Sequence, residues 1–305
     1  MSRITIIETG LVSPQFCERH GSYPQMFQRM VAAADPSVAC NVVSVATGEA
    51  LPDPATLDAI LITGSAAGVY DDVAWIAPLE AFVRAAHDRH VPMVGVCFGH
   101  QLIAQALGGT VRKSEKGWGI GRHVYRLTPD NGLLQGEAIA AACSHQDQVI
   151  TPPPSARTIM SSEFTPHAGL LYANGTTLSV QPHPEFTADY ADALCDLRRG
   201  LAPDRVVEIA KASLSEPLDH ATLSRPWGPV PMPAGRNQPG SAPPEGGFMT
   251  FRDVRSAVWG PVSLRPNFWD LAALLLLVGA MVLVVYGGEQ TTVPLSELER
   301  TPVSL

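Results

Sequence analysis

The sequence predicts an α/β domain over residues 1–225, then a proline-rich linker and one apolar span. Three observations carry that reading. Short β-branched runs alternate with amphipathic stretches of helical length, as they do where helices cross between the strands of a parallel sheet. Seven prolines lie between Pro226 and Pro244, in a stretch with almost nothing to pack. Beyond them, Leu271 to Gly288 carry no charge.

The first strand is Ile4–Ile7, whose apolar run is too short for a secretory signal. Val42–Val45, Ile60–Thr63 and Val91–Val96 are runs of the kind that a sheet covered on both faces buries. Helices are expected between them, over Gln25–Ala34 and Pro78–His90. The segment GTVRKSEKGWGIGRHVYRLT reads as an antiparallel excursion, because glycines break two alternating runs. A last strand ends at Gln181, and a helix follows from about Thr187 to Arg199.

Composition narrows the function. Of 305 residues, 46% are hydrophobic and 16% charged, enough to build a core. A net charge of -8 argues against a nucleic-acid-binding surface. Cysteines 17, 40, 97, 143 and 195 form no CxxC pair, so neither a zinc site nor a disulfide framework is expected. That is a reduced pattern, and the cytoplasm is the expected compartment.

Residues 226–248 read as a semi-extended linker and 249–305 as a membrane segment. A span over about 268–288 has the minimum length for a transmembrane helix, with Phe268, Trp269 and Tyr286 as interfacial aromatics. Arg252, Arg255 and Arg265 precede it, whereas Glu289, Glu297 and Glu299 follow. Positive charge before the span anchors the first domain to the inner face of the membrane. The plainer reading is a buried C-terminal helix, which the linker disfavours by isolating the segment. The tail from Met249 also resembles the first membrane helix of a binding-protein-dependent ABC transporter permease. On that resemblance a fusion or truncated product is expected, with the first domain as a passenger.

Three segments carry chemistry. In VPMVGVCFGHQ, Cys97 sits between a strand and a helix with Gly95 and Gly99 on either side, the cysteine form of a nucleophile elbow. The helix from Phe98 directs its positive end at the sulfur, and the Phe98 amide can face an oxyanion. A lone cysteine after a strand is as readily structural. In QPHPEF, His183 and Glu185 could supply a base and a group to orient it, although an isolated H-P-E is more often an ordinary surface loop. In LITGSAAGVYDD, a strand runs into a turn that presents Gly64 as a second oxyanion donor, and Asp71 and Asp72 read as a turn pair.

In order along the chain, GVCFGHQ, SHQDQV and QPHPE resemble the class I, triad-type glutamine amidotransferases of the GMP-synthase-like branch. GSAAGVYDD and GWGIG resemble that branch as well. The resemblance covers residues 1–227 and implies a flavodoxin-like three-layer α/β/α fold with a mostly parallel central sheet. It implies Cys97 as nucleophile, His183 as general base and acid, Glu185 as its orienting partner, and amides of Gly64 and Phe98 at the oxyanion. Gln101, Ser144, His145 and Asp147 would border the L-glutamine pocket. No metal or organic cofactor is implied. The same triad would also suit γ-glutamyl peptide hydrolysis. Two departures stand out, Gly119 where the branch often has glutamate and Pro182 where an aromatic is frequent. With no G-x-x-x-x-G-K-[ST] phosphate loop in the chain, ammonia would pass to a separate synthetase or acceptor protein, or be released.

Overall fold

The computed structural model describes residues 3–129, 134 and 136–219. The linker and the apolar span expected from the sequence, with their permease resemblance, lie outside these residues. Among the described residues no helix is long and apolar enough to cross a membrane.

Among the described residues, eleven strands and six α-helices follow in chain order. The first half holds β1 (Arg3–Glu8), α1 (Pro14–His20), α2 (Tyr23–Ala34), β2 (Ala39–Ser44), β3 (Ala59–Ile62), α3 (Ile76–Asp88), β4 (Met93–Val96) and α4 (Phe98–Ala106). The second holds β5 (Thr110–Lys113), β6 (Gly119–Leu127), β7 (Ala138–His145), β8 (Asp147–Thr151), β9 (Ala156–Ser161), β10 (Gly169–Tyr172), β11 (Thr177–Val180), α5 (Ala188–Leu197) and α6 (Asp204–Ser213).

One sheet of nine strands runs β2-β1-β3-β4-β11-β10-β9-β6-β7. Its first five strands are mutually parallel. Their order matches that of doubly wound sheets of the flavodoxin type, with ligands at the carboxyl ends of the strands. The remaining pairings are antiparallel, so the sheet is mixed, a parallel half extended by an antiparallel arm. The excursion expected at residues 109–128 is present, with a difference. β5 and β6 do not pair with each other: β5 pairs β8 in a separate ribbon, and β6 lies between β9 and β7.

Strand alternation builds a core on each face. Ile7, Ile60 and Ile62 point to the side where Leu79, Phe82 and Val83 of α3 and Leu102 and Ile103 of α4 pack. Ile6, Leu61 and Val96 point to the other, against Phe27, Met30 and Val31 of α2. Each such side chain removed from water stabilises the fold by about 1.5–3 kcal/mol. α5 and α6 cover the antiparallel arm, where Tyr190, Leu194, Val207 and Ala210 meet Ile120 and Ala142. α2 begins two residues before the expected start, set by a capping box in which Ser22 and Gln25 bond each other's backbone N–H.

Candidate active site

The elbow is built by backbone crowding. Cys97 joins β4 to α4 at φ 53°, ψ −102°, a conformation that costs a non-glycine residue about 1–3 kcal/mol. Neither flanking glycine has positive φ; the strain falls on the cysteine itself. The glycines are needed for space instead. A Cβ on Gly95 would collide with the Gly99 carbonyl, and one on Gly99 with the Ile62 carbonyl. The Cys97 N–H donates to the Val180 carbonyl at 2.9 Å, fixing the turn to β11. Phe98 opens α4 directly after Cys97, so its N–H has no intrahelical acceptor.

His183 follows β11 and is held from three sides. Its N–H donates to the Ala142 carbonyl at 2.8 Å. Its ring stacks on Phe186 at 3.8 Å and 6°. Its Nδ1–H donates to Glu185 Oε1 at 2.8 Å, since a carboxylate only accepts. That leaves Nε2 free to face Cys97, which lies beside the imidazole across Gly64. Burial pushes the His183 pKa down, but the Glu185 carboxylate and Cys97 outweigh it and lift the value to about 10. The surrounding histidines behave oppositely: burial drives His100 and His145 down to about 3 and lowers His123. Positive charge among these imidazoles is thus concentrated on His183.

Gly64 borders both groups. A Cβ there would lie 3.0 Å from His183 Cε1 and 3.7 Å from Cys97 Cβ. Its carbonyl accepts from Thr9 Oγ1 and Thr63 Oγ1, both at 3.1 Å. In a trans peptide the N–H opposes the carbonyl, so the Ser65 N–H points away from this pair, and Ser65 lines the cavity that holds Cys97. Ser65 was not singled out by sequence, because a serine after a glycine carries no signal of its own.

That cavity is about 240 Å³ and includes Gln101, Ser144, His145 and Asp147 in its walls, together with Tyr70, Trp118 and Arg198. The four residues expected at a substrate pocket are therefore together, in different settings. Gln101 is buried and donates to the Asp147 carbonyl at 2.8 Å and to Gln181 Oε1 at 3.1 Å. Gln181 in turn donates to Cys97 Sγ at 3.6 Å. This relay of amides holds the sulfur, and Gln181 stood out in the sequence only as a motif letter. His145 Nδ1 lies 3.1 Å from the Asp147 carbonyl, and the Asp147 carboxylate accepts from Tyr70 at 2.8 Å. His100 is enclosed in the core, its Nδ1 2.8 Å from Ser179 Oγ. Asp71 accepts from the Gly68 N–H, as expected of a turn residue. A Cβ on Gly119 would run into Phe164, which fills the space a glutamate would take.

A larger open groove of about 960 Å³ runs between α1, α2 and the start of α5 and touches Glu185, but does not include Cys97. Cys97 lines the smaller cavity.

The signature of "Glutamine amidotransferase class-I" matches residues 18–194. The chain is 32% identical over 147 residues to a putative glutamine amidotransferase-like protein of Schizosaccharomyces pombe, covering 47% of this chain and 59% of that one. It thus spans little more than half of that relative's length. It is 29% identical to a glutamine-hydrolyzing GMP synthase subunit of Sulfolobus acidocaldarius over 48% of this chain and 76% of that one. It is 26% identical to γ-glutamyl peptidase 3 of Arabidopsis thaliana over 52% and 67%. A solved glutamine amidotransferase from Methylobacillus flagellatus shares the fold, with TM-score 0.59 and 20% identity over 74% of this chain and 94% of that one. A signature spanning more than half the chain, over the strands and loops that bring cysteine, histidine and glutamate together, places this protein in the class-I glutamine amidotransferase family.

Proposed function

We propose that the protein hydrolyses the side-chain amide of L-glutamine through Cys97, His183 and Glu185. The observation that carries this is the buried His183–Glu185 pair beside Cys97, which sits at the strained turn between β4 and α4. Cys97 gives its proton to His183 and its sulfur attacks the amide carbon. The resulting oxyanion is met by the Phe98 amide and by the amides of the Gly64–Ser65 turn. His183 returns the proton to the departing nitrogen, the C–N bond breaks and ammonia leaves. Water, deprotonated by His183, cleaves the γ-glutamyl thioester to glutamate and restores the thiol. Gln101 and Gln181 position the sulfur, and Ser144, His145 and Asp147 form the wall that meets the amino-acid head. The ammonia serves a separate acceptor or synthetase protein.

The five cysteines are unpaired, which suits a reducing compartment, and we place the activity in the cytoplasm. Following glutamate and ammonia release from L-glutamine, with Cys97→Ala as the blank, tests the reading. Equal release by both proteins would sink it.

A second reading, γ-glutamyl peptide hydrolysis, draws support from the peptidase relatives at 26% and 28% identity. The chemistry is unchanged except that an amine of larger size leaves. Comparing kcat/KM for L-glutamine and a γ-glutamyl dipeptide separates the two: a clear preference for the dipeptide would favour the second.

A further inference from the structure

Arg198 follows the last residue of α5 and lines the catalytic cavity with Cys97, Trp118 and Ser144. Its guanidinium carbon lies 4.4 Å from the centre of the Trp118 ring. Its Nη2 donates to Ser144 Oγ at 3.2 Å. Its Nε is buried and has no acceptor, and among the described residues no carboxylate pairs with it. The neighbouring cations differ. Arg199 pairs with Asp196 at 3.1 Å and Glu208 at 2.7 Å, and Lys211 pairs with Asp192 and Asp196 at 2.8 Å each. Burial pushes the Arg198 pKa down, and the weak acids Tyr23, Cys97, Tyr190 and Cys195 offset it only in part.

A cation at a helix C-terminus is favoured by the dipole, which accounts for its sign. It does not account for a guanidinium drawn partly out of water with donors left over, because buried charge is costly unless paired. The Trp118 face holds the fork in place, so little side-chain freedom is lost when an anion docks.

We propose that Arg198 is a specificity-determining residue that binds the α-carboxylate of the substrate, so that the site accepts γ-glutamyl compounds with a free α-carboxylate and discriminates against those in which it is blocked. This rests on the reading of Cys97 as a nucleophile toward glutamine. A monoanion fits better than a phosphate, because Asp71 and Asp147 in the same wall repel a dianion. The Asp147 carboxylate is the complementary group for the ammonium of the same zwitterion. At about 240 Å³ the cavity lies below the ~300 Å³ at which pockets for drug-sized ligands begin, which suits one amino-acid head.

The test labels Cys97 with a diazoketone shaped like L-glutamine and with the α-methyl ester of the same reagent, read from the mass of the Cys97 peptide. The acid should label the wild type with saturation and at least roughly tenfold faster than the ester, the size of one charge-assisted hydrogen bond. In Arg198→Met the ratio of the two rates should fall to about one, and Arg198→Lys should keep part of the preference. Equal rates in the wild type, or a preference undiminished in Arg198→Met, would overturn the role of Arg198 and leave the glutaminase reading standing. If Arg198→Met fails to fold, the wild-type ratio and Arg198→Lys decide. No labelling of wild-type Cys97 by either reagent would refute the glutaminase reading and this inference with it.

Discussion

At φ 53° Cys97 holds a backbone that a glycine would adopt more readily, so its side chain is positioned at a cost in stability. Two substitutions separate the functions of this residue. Cys97→Ala should abolish glutamate release while the protein still folds, and Cys97→Gly should be equally inactive but more stable than Cys97→Ala by about 1 kcal/mol. Urea midpoints compare the two, and an alanine variant at least as stable as the glycine one would argue against strain. His183 offers a second test. Its pKa stands at about 10, above the ordinary 6.5. The stabilisation from the charged imidazole is therefore complete below pH 6.5 and is lost as pH rises through about 10. In Glu185→Gln the carboxylate charge is gone, so the His183 pKa falls and that alkaline decline should shrink. Thermal midpoints between these pH values should show a shallower slope for the variant; parallel curves would remove Glu185 as the cause. Glu185→Gln should also lose less activity than Cys97→Ala, because it disturbs orientation and not bond formation.

The β4–Cys97–α4 element depends on two backbones passing closely. Gly99→Ala would drive a Cβ into the Ile62 carbonyl of β3, and Gly95→Ala one into the Gly99 carbonyl. Each should cost about 1–3 kcal/mol, seen as a lower urea midpoint with an unchanged slope. A loss of a few tenths would mean that the turn relaxes. The strand–turn–helix form of this element was legible in sequence, from the apolar run before Cys97 and the glycines on either side of it. In the antiparallel arm the excursion at residues 109–128 was legible, but its strand pairing and β7 were not. β7 reads AIAAACSH, and alanine has little strand propensity, so its burial comes from the α5–α6 cover and not from a local pattern. α1 and α6 were missed because their exposed faces are rich in charge and each buries only one or two residues. Arg198 escaped because nothing near it in sequence indicates Trp118 or Ser144, which reach it from far along the chain.

Across the whole molecule, the groups of the site come from the carboxyl ends of neighbouring strands. Gly64 follows β3, Cys97 follows β4 and His183 follows β11, and these strands are adjacent in the sheet. The motifs along the chain therefore predicted which residues would lie together, because a parallel sheet places neighbouring strand ends along one edge. The cost is that distant contacts must close the arm. Asp219 exchanges two bonds with Ala140, both at 2.8 Å, and Arg122 donates to the Pro217 carbonyl at 2.8 Å. A chain ended after Trp227 keeps these contacts and should match the full chain in thermal midpoint and glutamate release. Ending it after Leu214 removes them and should lower the midpoint by several degrees. A large loss from the Trp227 boundary would show that later residues contribute to this domain.

The most direct measurement mixes the protein with L-glutamine, quenches in acid and weighs the Cys97 peptide while ammonia is assayed in parallel. A γ-glutamyl thioester on Cys97, with ammonia that Cys97→Ala does not release, is the expected result. Ammonia released equally by Cys97→Ala, or glutamine consumed with Cys97 unmodified at every quench time, would contradict the assignment of Cys97 as the nucleophile.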